Sequence, residues 1–269
     1  VKSTVGTLIA MIAIAAVNSI TVSQTLESNG GDVALVATQD VLVNANIASD
    51  GGNVTLNSDS DSSGGGRIDV TQGITSGGGN ITLGGGVDPA QTPADGTTVT
   101  PGVNISNTGE LDAAGGDISV RGVTAQNSFG VHLLGDVTTT GNGNLTLTGS
   151  GTNQASGVRV FFATVETADG NILVNADAVA DAAFVSQGTT RATGSGDVTV
   201  NGVSDTGFSA VSLATDATLQ VNTGTLTVNG TATTSGDGIR LSTFGGRLLS
   251  VGGGGIVVTG NAAAGTDFV

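Results

Sequence analysis

Gly143-Asn144-Leu145-Thr146-Leu147 is the stretch that decides the fold, because the chain returns to it again and again. A glycine is followed by Asn or Asp, and then apolar and small polar residues alternate. Earlier copies are Gly31-Asp32-Val33-Ala34-Leu35, Gly52-Asn53-Val54-Thr55-Leu56, Gly79-Asn80-Ile81-Thr82-Leu83 and Gly116-Asp117-Ile118-Ser119-Val120. Later ones are Gly170-Asn171-Ile172-Leu173-Val174 and Gly196-Asp197-Val198-Thr199-Val200, with weaker copies opening at Gly224 and Gly254. The leading glycines are therefore spaced by 21, 27, 37, 27, 27, 26, 28 and 30 residues. A recurrent period of this size marks a stacked-repeat architecture.

Alternation at period two is the signature of a strand with one face inward. Aligning the copies gives two apolar columns. One runs through Val54, Ile81, Ile118, Leu145, Ile172 and Val198, the other through Leu56, Leu83, Val120, Leu147, Val174 and Val200. A Thr-rich column lies between them and faces outward. About fifteen residues after the leading glycine comes a second alternating stretch, for example Val131 and Leu133 or Val158 and Val160. A third precedes the next turn, with Ile47, Ile74, Leu111, Val137, Val165 and Leu219.

These patterns predict an all-β, right-handed parallel β-helix (β-solenoid) with three short strands per coil of about 27 residues and about nine coils. The right hand follows from the general preference of parallel crossovers. A β-sandwich would need hairpin signals between successive strands, and a fixed register is not expected of it.

Residues 1–29 read as a truncated first coil or N-terminal cap, with a targeting segment as the alternative because Lys2 and the apolar run Leu8 to Val17 look like a signal peptide. Residues 30–269 read as the solenoid, and both termini look cut from something longer. The 37-residue step carries an inserted loop at 87–102 that holds all 3 prolines, Pro89, Pro93 and Pro101. It is expected to bulge from a corner as decoration, since proline cannot donate to a ladder.

Composition narrows the function classes. The 269 residues include 46 glycines, no cysteine, no Trp and no Tyr, and 22 acids stand against 7 bases for a formal net charge of −15. That charge opposes nucleic-acid binding and adsorption to anionic membranes. The lack of an aromatic girdle opposes insertion as a membrane barrel. Without cysteine there are no disulfides and no thiolate metal sites.

Candidate chemistry is sparse. Asp32, Asn53, Asn80, Asp117, Asn144, Asn171 and Asp197 form a corner Asx column in which no two Asp are adjacent. Two neighbouring carboxylates would repel by roughly 1 kcal/mol even in water, so the column reads as a structural ladder of stacked side chains rather than a cation edge. Asn57, Asn175, Asn201 and Asn229 are read as ending the first strand of their coils. Asp59 and Asp61, before Gly64-Gly65-Gly66, are the weak metal candidates, with Ca²⁺ the ion their oxygens would suit. No other cofactor is expected.

For a carbohydrate-active enzyme of the polysaccharide lyase or hydrolase kind, the nearest acid–base pairs are Asp117 with Arg121 and Arg159 with Glu166. His132, Arg159 and Arg240 share one outward offset, with Ser186 and Ser212 interrupting the stripe. The phenylalanines Phe129, Phe161, Phe162, Phe184, Phe208 and Phe244 are expected to plug core space at corners.

The units Gly51-Gly52-Asn53-Val54-Thr55-Leu56 and Gly130-Val131-His132-Leu133, the corner Thr75-Ser76-Gly77-Gly78-Gly79 and the acidic, Cys-free composition together resemble the filamentous-haemagglutinin-like and autotransporter-like β-strand-repeat proteins of bacterial surfaces. The resemblance covers nearly the whole chain from about residue 20. It implies secretion to the cell surface and an extracellular stalk that serves structure or adhesion, without catalytic residues. The partners expected are further copies or flanking repeats of the same protein joined end to end, and a surface carbohydrate or matrix ligand. An enzyme and a calcium-dependent matrix-binding solenoid stand as the alternatives.

Overall fold

The structure, a computed structural model, describes residues 11–262 except Thr98 and Thr243. Among these residues there is no helix, and the strands form three parallel sheets that wind as a β-solenoid with three strands per coil. The first sheet runs Ile12–Ala16, Val33–Ala37, Val54–Ser58, Ile81–Gly85, Ile118–Thr124, Leu145–Gly151, Ile172–Ala178, Val198–Ser204, Leu226–Ala232 and Ile256–Asn261. The second and third sheets hold 9 strands each. At about 4.8 Å per step, nine stacked strands span on the order of 40 Å.

Register follows the sequence columns. Val33, Val54, Ile81, Ile118, Leu145, Ile172, Val198, Leu226 and Ile256 are successive Cα partners, and Leu35 through Val258 form the adjoining column. From Val33 to Val228 these side chains are buried. Aliphatic side chains from all three sheets make one continuous core, each fully buried one contributing about 1.5–3 kcal/mol of transfer free energy before entropy is counted. Ile12–Ala16, Ile20–Val22 and Leu26–Glu27 pair with the next coil as first, second and third strands, so they form a coil like the others. Residues 1–10 of the suspected cap or targeting segment lie outside the described residues.

The corner before the first sheet explains why the coils from Gly31 onward open on glycine. A Cβ on Gly52 would overlap the carbonyl oxygen of Gly31, and the same holds for Gly79 on Gly52, Gly116 on Gly79, Gly143 on Gly116, Gly170 on Gly143 and Gly196 on Gly170. The backbones are stacked too closely for any side chain. Buried hydroxyls satisfy five of these six carbonyls: Ser28, Ser49 and Ser76 donate to the oxygens of Gly31, Gly52 and Gly79, while Thr139 and Thr167 donate to those of Gly116 and Gly143. A buried carbonyl without such a donor would cost about 1–3 kcal/mol.

Strand length changes along the stack. The first four strands of the first sheet have 5 residues, and those from Ile118 to Ala232 have 7. The insertion lies at that transition, and it is not the free loop expected. Ala94–Gly96 pairs in parallel with Gly122–Thr124, supplying the rungs that Ile81–Gly85 is too short to give. Ala94 is fully buried. The preceding turn lies on the sheet's outer surface, where a Cβ on Gly84 would meet the carbonyl oxygen of Pro89. Proline-rich flanks hid a three-residue strand that local propensity does not announce.

Candidate ligand-binding face

The corner acids and amides are engaged in structure. Each Oδ1 of the Asx column accepts the backbone N–H of the next member: Asp32 from Asn53 at 2.7 Å, Asn53 from Asn80 at 2.9 Å, Asn80 from Asp117 at 2.8 Å, Asp117 from Asn144 at 2.7 Å, Asn144 from Asn171 at 3.0 Å and Asn171 from Asp197 at 2.9 Å. The column is thus a side-chain-to-backbone ladder. Asn also adds an amide bond at the Asp32–Asn53 and Asp117–Asn144 steps, at 3.2 and 3.1 Å. The amide-to-amide stack lies elsewhere: Asn201 donates to Asn175 and Asn229 to Asn201, both at 2.9 Å. Those residues, and Asn57, sit inside their strands rather than at the ends, because the ladder continues past them.

Asp59 and Asp61 shape their loop. Asp59 Oδ1 accepts the N–H groups of Ser63 and Gly64, and Asp61 Oδ1 that of Ser63. Asp95 lies near Asp59; burial, and then the Asp59 charge, raise its pKa above the usual carboxylate value. No group of three or more metal-ligating side chains gathers among the described residues.

The catalytic pairs expected from sequence do not meet. Arg121 Nε donates to the Ala90 carbonyl of the insertion at 2.6 Å and its Nη1 to Thr148 at 3.2 Å, while Asp117 serves the corner ladder. Glu166 receives Arg191 at 2.6 Å instead of Arg159.

Arg159 lies on the outer face of the second sheet, where the chemistry-bearing side chains collect. Successive Cα partners there are Asp69, Asn104, His132, Arg159, Val185, Ser212 and Arg240. The 26-residue step puts Val185, rather than Ser186, in the row; Ser186 is buried. The Arg159 guanidinium carbon stands 4.9 Å from the Phe129 ring centroid and 4.5 Å from that of Phe161. Burial lowers the Arg159 pKa, with Asp181 pulling in the opposite direction. Arg159 Nε and His132 Nε2 are buried without a hydrogen-bond partner. His132 also lies against Phe129, with ring centroids 4.4 Å apart.

Beyond Ser212 the same face holds a groove of about 560 Å³ lined by Ser212, Asp237, Arg240, Leu241, Ser242 and Phe244. Asp237 accepts from Ser209 at 3.3 Å. The phenylalanines divide accordingly. Among the described residues only Phe184 is a fully buried phenylalanine in the core, whereas Phe162, Phe208 and Phe244 are 71%, 49% and 75% exposed. Asp181 and Asp237 gave no sequence signal, since both lie in turns. Phe161 did give one: two residues after Arg159 in an alternating stretch, it must share that residue's face.

The environment of His132 has a measurable consequence. Burial first, and the Arg159 charge second, bring its pKa down from 6.5 to about 4. The neutral imidazole is the folded form, so the unfolded chain binds the extra proton between these values. Stability from this residue is complete above about pH 6.5 and is lost as the pH falls towards about 4. The full displacement corresponds to about 3 kcal/mol, which partial exposure to water reduces to about 1–2 kcal/mol. Urea midpoints at pH 7 and pH 4.5 should fall further for the parent than for His132→Gln; equal falls would contradict the assignment.

Among the described residues no helix is long and apolar enough to cross a membrane. No protein-family model, curated protein or solved structure matches the chain.

Proposed function

We propose that the protein is a non-catalytic structural and adhesive β-solenoid, a segment of a larger bacterial cell-surface or filament-forming protein that works outside the cell. The observation that carries this is the unbroken ladder of the first sheet. Its register runs from Ile12 to Ile256 and passes an insertion without slipping. A body in which each coil touches only its neighbours lengthens by adding coils and resists bending through continuous hydrogen-bond rows. The outer faces are then free to carry ligands.

Among the described residues Ile256–Asn261 pairs only with Leu226–Ala232, and Ile256, Val257 and Val258 are 43%, 49% and 50% exposed. Such an edge invites a further strand, which makes end-to-end assembly or continuation by flanking repeats the expected partner mode. Small-angle scattering and electron microscopy should show straight rods about 40 Å long or multiples of that length. A compact globule would overturn the proposal, as would release of unsaturated or reducing ends from acidic polysaccharides by the purified chain.

A further inference from the structure

We propose that the outer face of the second sheet binds a sparsely carboxylated saccharide whose carboxylates are received by Arg159 and Arg240. This rests on the adhesive reading and names the ligand class.

Cations are scarce here, 7 against 22 acids, and several of the arginines are matched. Arg67 pairs with Asp40 and Asp69, Arg191 pairs with Glu166, and Arg121 bonds Ala90 and Thr148. Arg159 and Arg240 make no ion pair or hydrogen bond among the described residues. In a chain so rich in carboxylates, two unpaired guanidinium groups on one face are sites awaiting an acid from outside.

The surroundings specify which acid. Phe129 and Phe161 lie within cation–π reach of the Arg159 guanidinium, which leaves its fork of N–H donors to meet a planar anion two bonds at a time. At Arg240 the groove adds the Phe244 ring, the Asp237 carboxylate and the hydroxyls of Ser212 and Ser242. An apolar ring face beside acceptors and donors for hydroxyl groups, with one cation, is the complement of a sugar acid. A groove of about 560 Å³ falls in the ordinary range of small-molecule sites.

Spacing and net charge decide between sparse and dense charge on the ligand. Arg159 and Arg240 are three register steps apart, through Val185 and Ser212, or about 14 Å along the stack. A net charge of −15 repels a polyanion with a charge on every unit, and it penalises a phosphate dianion more than a carboxylate.

The test is calorimetric titration of the full chain with sialyllactose, and with lactose as the carboxylate-free control. The expected result is about two equivalents of sialyllactose, no measurable uptake of lactose, and one equivalent for either Arg159→Gln or Arg240→Gln. Circular dichroism establishes that each variant is folded. Arg240 is exposed, so its variant remains informative if Arg159→Gln unfolds. Absence of sialyllactose binding, equal binding of lactose, or unchanged stoichiometry in folded Arg240→Gln overturns the proposal. Rods by scattering with no saccharide uptake would remove this inference alone, whereas a globular particle would remove the reading beneath it.

Discussion

Gly170→Ala is expected to destabilise the protein by about 3 kcal/mol, a large effect for the addition of one methyl group. The new Cβ would coincide with the carbonyl oxygen of Gly143, and that oxygen already accepts the buried Thr167 hydroxyl at 2.8 Å. Relief requires the two coils to separate, which strains the paired strands Leu145–Gly151 and Ile172–Ala178 along their length. Gly255→Ala is the control. Its Cβ would meet nothing closer than Thr225 Cγ2 at 3.8 Å, so a change within about 0.5 kcal/mol is expected. Urea denaturation of the two variants measures the difference. Similar midpoints would show that the glycine column is not held by close approach.

The second large effect is at Phe184→Ala. Phe184 is the largest fully buried side chain, and its column neighbours are Val158 and Val211. Removing the ring leaves a cavity between two stacked coils that rigid ladders cannot close, at a cost of about 3–5 kcal/mol. Phe162→Ala, at a side chain 71% exposed, should change stability by less than about 0.5 kcal/mol. Thermal or urea unfolding compares them directly. A small loss at Phe184 would mean that the interior is looser than its burial indicates.

These two predictions also mark how far the sequence could be read. Alternation in Gly-Asn-Leu145-Thr146-Leu147 was enough to place Leu145 and Leu147 inward and to stack them on Ile118 and Val120, because the strand period and a buried face leave one consistent register. The leading glycines were equally visible, but only the stacked backbones show that their role is the absence of a Cβ. The hydroxyl column of Ser28, Ser49, Ser76, Thr139 and Thr167 escaped notice because Ala113 and Ala192 share its positions and break the pattern. Small size was what those positions had in common.

The candidate face was legible only in part. His132, Arg159 and Arg240 stood out as a row, and their Cα partners bear that out. What sequence could not supply was the turn geometry that brings Asp181 to Arg159, or Asp237 and Phe244 to Arg240. Corner residues have no period to follow, and each coil varies its turns independently. Treating the phenylalanines as one class of plug erred for the same reason, since their offsets differ and offset alone decides between core and surface.

The change from five-residue to seven-residue strands at Ile118 gives the molecule a taper. The first sheet is narrow over its first four strands and wide from Ile118 to Ala232. In the narrow part at most 5 rungs pair, as between Ile12–Ala16 and Val33–Ala37. Within the wide part of the stack, by contrast, neighbouring strands share 7. Under tension along the stack the narrow part would therefore separate before the wide part opened.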